Sequence, residues 1–446
     1  MKNQLIFAIQ VVAVSAMGTA WGGEKEKLAE VAGDIPATAI YDPDPSHLWN
    51  RLHRAFFVRP DAITDLPNVD AVDPPLWIDT TGFLKSGPTH RAAIAVLDEF
   101  LSKDGAALVD DPVKRAVLQQ DLWSVFDWSA TSAPGNGAAK LNLAELRSRL
   151  ATAIGRLALS AEEIELLPDN FSDAAAAKAF GHAYDPEHPR EPFLPADLFD
   201  PAGPWVCVRG AVSGPSAPVH VRYYKGRSPF LVYIRLPDGR EATKKYLKDL
   251  NQATRELVSD DVSGLPQFPV GTMVALVRRM AVIDSSGNIQ VTPLTQTVQM
   301  RVYCQVGGKV KDHENSQAAI KFRLSRRGLF AGRHGGFEPI SWDEPLRISL
   351  LQHGDIYHNQ GKGRVEGTVM QSCIACHSCG GATIESVFSY KQDEWVPGAN
   401  AMAANRLRLT KSHPSSEIKN TVQWKMARYE WGLLTGLLGR GVVSSP

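Results

Sequence analysis

The stretch Cys373-Ile374-Ala375-Cys376-His377 constrains this chain more than any other, because its spacing is the one at which proteins bind haem covalently. Two thiols on one helical turn can add to the two vinyl groups of a porphyrin, and the histidine that follows the second thiol then ligates the iron. We therefore predict thioether bonds from Cys373 and Cys376 and proximal iron coordination by His377. Since the motif occurs once, the predicted cofactor is one haem c.

Other chemistries compete for the same cysteines. Cys379 extends the spacing to that of a ferredoxin cluster, but Thr383 stands where the fourth cysteine would be. A zinc site would need a second pair of ligands nearby, and a dithiol redox pair would need a βαβ context that this region does not show. Haem attachment is the preferred interpretation, and zinc binding and thiol redox chemistry remain alternatives.

The N-terminus predicts export. Lys2 precedes an apolar stretch that is shorter than the roughly 20 residues of a membrane span, and the small residues Gly18, Thr19 and Ala20 follow it. We predict a signal peptide over residues 1–22 and a periplasmic or secreted product with no transmembrane segment after cleavage. A retained N-terminal anchor is the alternative. The 48 basic and 48 acidic residues balance, which argues against nucleic acid or anionic lipid as a partner.

The fold class predicted from hydrophobic periodicity is α+β with several domains. Apolar residues recur at helical spacing between about 40 and 185, with a helix start at Asp111-Pro112 and a capping box from Ser160 to Glu163. This pattern indicates a helical region over residues 23–195.

From about residue 200 the period changes to two, which indicates a mainly antiparallel β domain over residues 200–345. Val219, Val221 and Tyr223 alternate with polar residues and predict a strand. Thr243 to Val258 predicts a helical insertion, and the polar turn from Asp284 to Asn288 predicts a hairpin.

Residues 346–446 carry the motif and end in a helix. Its apolar stripe runs from Ile418 to Leu437, its predicted cap is Ser415 or Ser416, and we expect it to pack on the motif helix.

On the motif and this terminal helix, the chain resembles the c-type cytochromes, in which two such helices pack over a haem edge. The resemblance implies a mainly helical, cytochrome c-like region over residues 346–446. It also implies thioether bonds at Cys373 and Cys376 and proximal ligation by His377.

The distal iron ligand does not follow from the resemblance. Methionine and histidine are the usual donors, and the candidates, in order of preference, are Met402 in a Pro and Gly loop, Met426 in the terminal helix and His413 in a loop. A five-coordinate iron is also allowed.

Two further features bear on the site. Cys207 and Cys304 lie in strand-like segments and could form a disulfide, although Cys304 with Cys379 is equally allowed. A basic strip, comprising Lys321, Arg323, Arg326, Arg327 and Arg333, could meet haem propionates or an acidic partner, or could be a solvated strand face.

These observations predict an exported monohaem protein that transfers single electrons to and from a redox partner protein. Two alternatives stay open: a haem enzyme of the peroxidase or oxidase type, and a partner-binding protein with a structural or accessory haem. The sequence does not decide whether the protein is an enzyme.

Overall fold

The computed structural model describes residues 39–57, 70, 72, 84–132, 137–210, 214–256, 264–306, 316–344, 368–377 and 409–443. The predicted signal peptide, Cys379 and Met402 lie outside these residues. No helix in the described ranges has the length and apolar character needed to cross a bilayer.

The first part of the chain is helical, as its periodicity predicts. Its α-helices are α1 (Leu48–Phe57), α2 (Gly87–Ser102), α3 (Pro112–Thr131), α4 (Gly137–Arg156), α5 (Ala161–Glu165) and α6 (Asn170–Ala176). The side chain of Asp111 accepts hydrogen bonds from the first turn of α3, and Ser160 and Glu163 form the predicted capping box at the start of α5. Helix α3 is buried on all sides and forms the centre of this layer.

The middle of the chain forms an antiparallel sheet. Its strands are β1 (Val206–Gly210), β2 (Phe230–Arg235), β3 (Met273–Ile283), β4 (Ile289–Tyr303), β5 (Gln317–Leu324), β6 (Phe337–Pro339) and β7 (Leu409–Lys411). Their order is β6-β5-β4-β3-β2-β1-β7, and every described pairing between them is antiparallel. The hairpin between β3 and β4 turns at the predicted segment, where Gly287 has a positive φ of 82°.

Two helices lie between the first three strands. Helix α7 (Pro218–Tyr223) replaces the strand predicted there from alternation. Proline at the first helical position fits the start of a helix, and in so short a segment alternation alone does not exclude one. Helix α8 (Gly239–Glu256) confirms the predicted helical insertion.

The two faces of the sheet have different coverings. Alternate residues of each strand point to the same side. We call the side on which the helix with the C-x-x-C-H motif packs the motif face. Val232, Leu276, Gln299 and Lys321 lie across it in register. The opposite face carries Leu231, Val277, Val298 and Phe322 across the same strands, in one apolar core with the segment from α6 to β1.

In the described residues, the C-terminal part comprises α9 (Arg326–Phe330), which precedes β6, and then α10 (Val369–His377), β7, α11 (Pro414–Met426) and α12 (Tyr429–Val443). The predicted single terminal helix is therefore two helices, and the cap of the first is His413 rather than Ser415 or Ser416.

The packing of the terminal helix also differs from the expectation. Trp431 and Leu434 of α12 belong to the core formed with α3 and α4, where Trp431 approaches Trp123 to 5.9 Å between ring centres. Helix α10 packs on β5 instead. In the described residues, the last part of the chain thus contacts both the helical layer, through α12, and the sheet, where β7 pairs with β1. These contacts connect segments that lie on different sides of the predicted boundaries at 195 and 345.

Candidate functional site

The motif helix α10 is held against the motif face of the sheet by a small apolar contact. Met370 and Ile374, one turn apart, are buried against Ala319 of β5, with Ile340 and Trp342 partly buried beside them. Cys373 lies in the same turns and is partly exposed, and His377 ends the helix one turn later. The described backbone of Cys376 is helical, and its side chain lies outside the described atoms.

The end of α10 is fixed by a side chain of the sheet. Gln317, the first residue of β5, donates a hydrogen bond from Nε2 to the backbone carbonyl oxygen of His377 at 3.2 Å. Carbonyl groups in the last turn of a helix have no partner within the helix. This bond therefore sets the position of His377 relative to the sheet.

The ring of His377 faces a second histidine that sequence analysis did not nominate. The ring centres of His220 and His377 are 6.5 Å apart, and their planes are inclined by 19°. His220 lies in α7, far from the motif in sequence. His220 also contacts Phe230 of β2, with 5.4 Å between ring centres.

The local structure around α7 explains how His220 is positioned. Val221 is fully buried in the core that α7 shares with β2 and α8, so the helix cannot rotate freely. The turn that follows passes through Gly226, whose φ is 74° and where a Cβ atom would lie 2.9 Å from the ring of Trp424. Glycine is required there by both its backbone conformation and this close approach.

Two positive charges act on His220. Arg301 of β4 pairs with Ala319 of β5 in register, and Lys321 lies two residues further along β5, so both belong to the motif face. Burial, together with the charges of Arg301 and Lys321, lowers the pKa of His220 to about 3. The imidazole of His220 is consequently neutral at pH 7, the form that can ligate a metal.

The predicted basic strip is divided between several environments. Arg326 is fully buried and makes two hydrogen bonds to Asp121 of α3, at 2.6 and 2.7 Å. Arg323 is partly buried and pairs with Glu344 at 2.7 Å. The strip is therefore not one solvated face. Lys321 is the member of the strip whose charge acts on His220.

The other predicted site residues lie in different places. His413 caps α11, where its Nδ1 accepts from the backbone N–H of Ser415 at 3.3 Å. Met426, the last residue of α11, is 56% exposed. The structure places neither of them in a described contact with His377, and Met402 lies outside the described residues.

The structure does not contain the Cys207–Cys304 disulfide. Both thiols are free, and β1 is separated from β4 by β2 and β3. Three strand spacings amount to about 14 Å, whereas a disulfide needs Cα atoms within about 7 Å. The sulfur of Cys304 instead lies 3.3 Å from the hydroxyl oxygen of Tyr184.

A cleft of about 460 Å³ lies at the start of β5. Tyr184, Cys304, Gln317 and Trp342 contribute to its lining, and Gln317 is also the residue that holds His377. Gln317 therefore belongs both to the lining of the cleft and to the contact with α10.

One cluster among the described residues has the composition of a cation site. Asp185, His188 and Glu191 place one ligand atom each within 4.8 Å of one another, and all three are exposed. Hydrogen bonding to Asp185 raises the pKa of His188. This local contact accounts for the geometry without an ion.

Comparisons of the chain with models of known protein families, with curated proteins and with solved structures found no match. The chemistry of the site therefore carries the functional argument.

The sequence did not point to His220, because the segment from Val219 to Tyr223 was predicted as a strand in which His220 had no assigned function. Pro218 was the local signal for a helix. No local signal pairs a histidine at 220 with one at 377, since that contact depends on the sheet between them.

Proposed function

We propose that this chain is an exported monohaem c-type cytochrome-like protein that transfers single electrons to and from a redox partner protein. The observation that supports it most is the spacing of Cys373, Cys376 and His377 on a helix anchored to a sheet. Cys373 is partly exposed there and His377 is fixed by Gln317.

The residues around α10 fit a haem. Phe230 and Leu276 provide apolar contact on the motif face, while Arg301 and Lys321 provide positive charge that would neutralise the two propionates. A bound haem supplies a one-electron iron couple, and thioether bonds would retain it in an exported protein. The chain would hold the iron through His377 and shield one side of it with the sheet.

Export and the redox partner are part of the same proposal. Residues 1–22 have the charge and apolar pattern of a leader, and haem attachment to C-x-x-C-H takes place after export in the c-type cytochromes that the chain resembles. The formal charge of zero gives no electrostatic preference for the sign of the partner's surface.

The decisive experiment is expression with the haem-maturation machinery, followed by a haem stain on a denaturing gel and intact-mass measurement. We expect stain and the mass of one haem in the wild type, and neither in the double variant Cys373→Ala, Cys376→Ala. The matched control is Cys207→Ala with Cys304→Ala, which removes two thiols elsewhere in the fold and should keep the stain. A wild-type protein whose motif peptide is unmodified, or carries zinc, would refute the proposal.

A haem enzyme is one of the two alternatives, and the spin state of the iron separates it from an electron-transfer protein. A low-spin, six-coordinate ferric spectrum supports electron transfer. A high-spin spectrum that changes on addition of cyanide or peroxide would support catalysis at an open coordination position and would contradict electron transfer.

A further inference from the structure

We propose that His220 is the sixth ligand of the haem iron, on the opposite side from His377. The inference rests on the proposed haem attachment and assigns the coordination position that the motif leaves open.

The distance between the two rings carries the inference. A bond between a metal and an imidazole nitrogen is about 2.0–2.1 Å long, and the centre of the ring lies about 1.1 Å from that nitrogen, given ring bonds of about 1.35 Å. Two imidazoles that bind one ion from opposite sides thus have ring centres about 6.3 Å apart. The centres of His220 and His377 are 6.5 Å apart, and the inclination of 19° is compatible with two axial imidazoles.

Both histidines are attached to the same sheet, which would hold this distance without the metal. His377 is fixed through its carbonyl oxygen by Gln317 of β5. His220 is fixed through buried Val221 and through Phe230 of β2. Ligands held by a rigid scaffold lose little conformational entropy on binding.

The charges nearby match the groups that a porphyrin brings with it. Arg301 is 7% exposed on the motif face, and Lys321 is partly exposed on the neighbouring strand. Buried cations need anionic partners. Propionate groups of a haem between His220 and His377 would provide them.

The other described candidates for a distal ligand have different surroundings. The Nδ1 atom of His413 already accepts a hydrogen bond as a helix cap. Met426 is 56% exposed at the end of α11, whereas an iron-bound thioether is normally shielded from water. Of the described histidines and methionines named as candidates, none faces the His377 ring as His220 does.

Bis-histidine ligation has a measurable consequence. Methionine as the sixth ligand raises the reduction potential of a haem relative to histidine. The protein should therefore have a lower potential than a methionine-ligated cytochrome, and its ferric form should lack the near-infrared absorption band of iron–methionine ligation.

The test compares haem-loaded wild type with His220→Ala, His220→Met, His413→Ala, Met402→Leu and Met426→Leu by optical and electron paramagnetic resonance spectroscopy. Haem stain on a denaturing gel is recorded for each. We expect stain in all of them, a low-spin wild type, and a high-spin ferric form only in His220→Ala. Added imidazole should restore the low-spin spectrum of that variant, and His220→Met should acquire the methionine band.

The possible failures are distinguishable. Absence of stain in the wild type would refute the proposed function together with this inference. If His220→Ala keeps both the stain and the low-spin spectrum, this inference is wrong while the proposed function stands, and the ring pair is only an aromatic contact. The same conclusion follows if the spectrum changes only in the Met402, Met426 or His413 variant. If His220→Ala did not fold, His220→Met would decide, since it preserves the side-chain volume and must change the spectrum.

Discussion

The two faces of the central sheet differ in what covers them, and the difference separates the residues that hold the fold from those that can do chemistry. On the opposite face, Phe322 and Val298 pack into one apolar core with the segment between α6 and β1. On the motif face the same strands present Arg301, three residues from Val298, and Lys321, one residue from Phe322. Both charges act on His220, whose ring neighbours that of His377. An antiparallel sheet permits this because its side chains alternate.

The faces also differ in how the rest of the chain is attached. An apolar core covers much of the opposite face. The C-terminal helices beyond the motif face are tied in by a buried ion cluster, in which Asp127 of α3 accepts from Arg227 at 3.0 Å and from Lys425 of α11 at 2.7 Å. All three side chains are inaccessible to water. Each cation there depends on the carboxylate.

The largest effect expected is therefore from Asp127→Ala. It would leave Arg227 and Lys425 as buried cations facing each other, with Glu430 3.3 Å from Lys425 as the remaining acid. We expect a loss of about 3–5 kcal/mol in the free energy of unfolding, measured by denaturant titration. The control is Lys103→Ala, which removes an exposed pair with Glu99 and should cost about 0–1 kcal/mol. Equal losses would mean that the cluster does not stabilise the attachment.

The opposite face should respond to changes in volume. Phe322 is fully buried and lies 4.7 Å from Phe180 between ring centres. Phe322→Leu should cost about 1–3 kcal/mol, while the spectrum of the loaded protein stays unchanged because the substitution points away from the motif face. Leu141→Ala, at a position 72% exposed, is the matched control and should change stability by no more than about 0.5 kcal/mol. A changed haem spectrum would show that the faces are coupled.

The alkylation rates of Cys207 and Cys373 provide a direct comparison of the two faces. Burial, with a smaller contribution from Glu417, raises the pKa of Cys207 on the opposite face to about 12. Because the thiolate is the reactive form, Cys207 in protein made without haem maturation should be alkylated at least about tenfold more slowly than the partly exposed Cys373. Mass spectrometry of timed iodoacetamide reactions measures this. The two rates should converge in denaturant, and equal rates in the native protein would contradict the assigned burial.

The smallest change in stability is expected from Lys321→Met on the motif face. The side chain is partly exposed and keeps its methylene groups, so the free energy of unfolding should change by about 1 kcal/mol or less. If haem is bound as proposed, removing a nearby positive charge favours the ferric state and lowers the reduction potential. Redox titration measures this shift against Lys103→Met, which should leave the potential unchanged. An unchanged potential in Lys321→Met would place the haem elsewhere.

Much of the architecture was predictable from local patterns. The combination of helices with an antiparallel sheet is confirmed, as are the capping box at Ser160 and the helical insertion that became α8. Each depends on residues close together in sequence, whose backbone preferences and periodicity act within one element. The haem motif, the export signal and the one-electron function stay predictions.

The sequence by itself determined that two thiols and a histidine lie within five consecutive residues. Only the tertiary structure decided what surrounds them. A hydrophobic stripe indicates that a helix is buried but not which element it packs against. The sequence therefore did not reveal that α12 packs on the helical layer and not on the motif helix. For the same reason the neighbour of His377 is His220, because their contact is set by strand register and by the packing of α7 and α10 on one sheet.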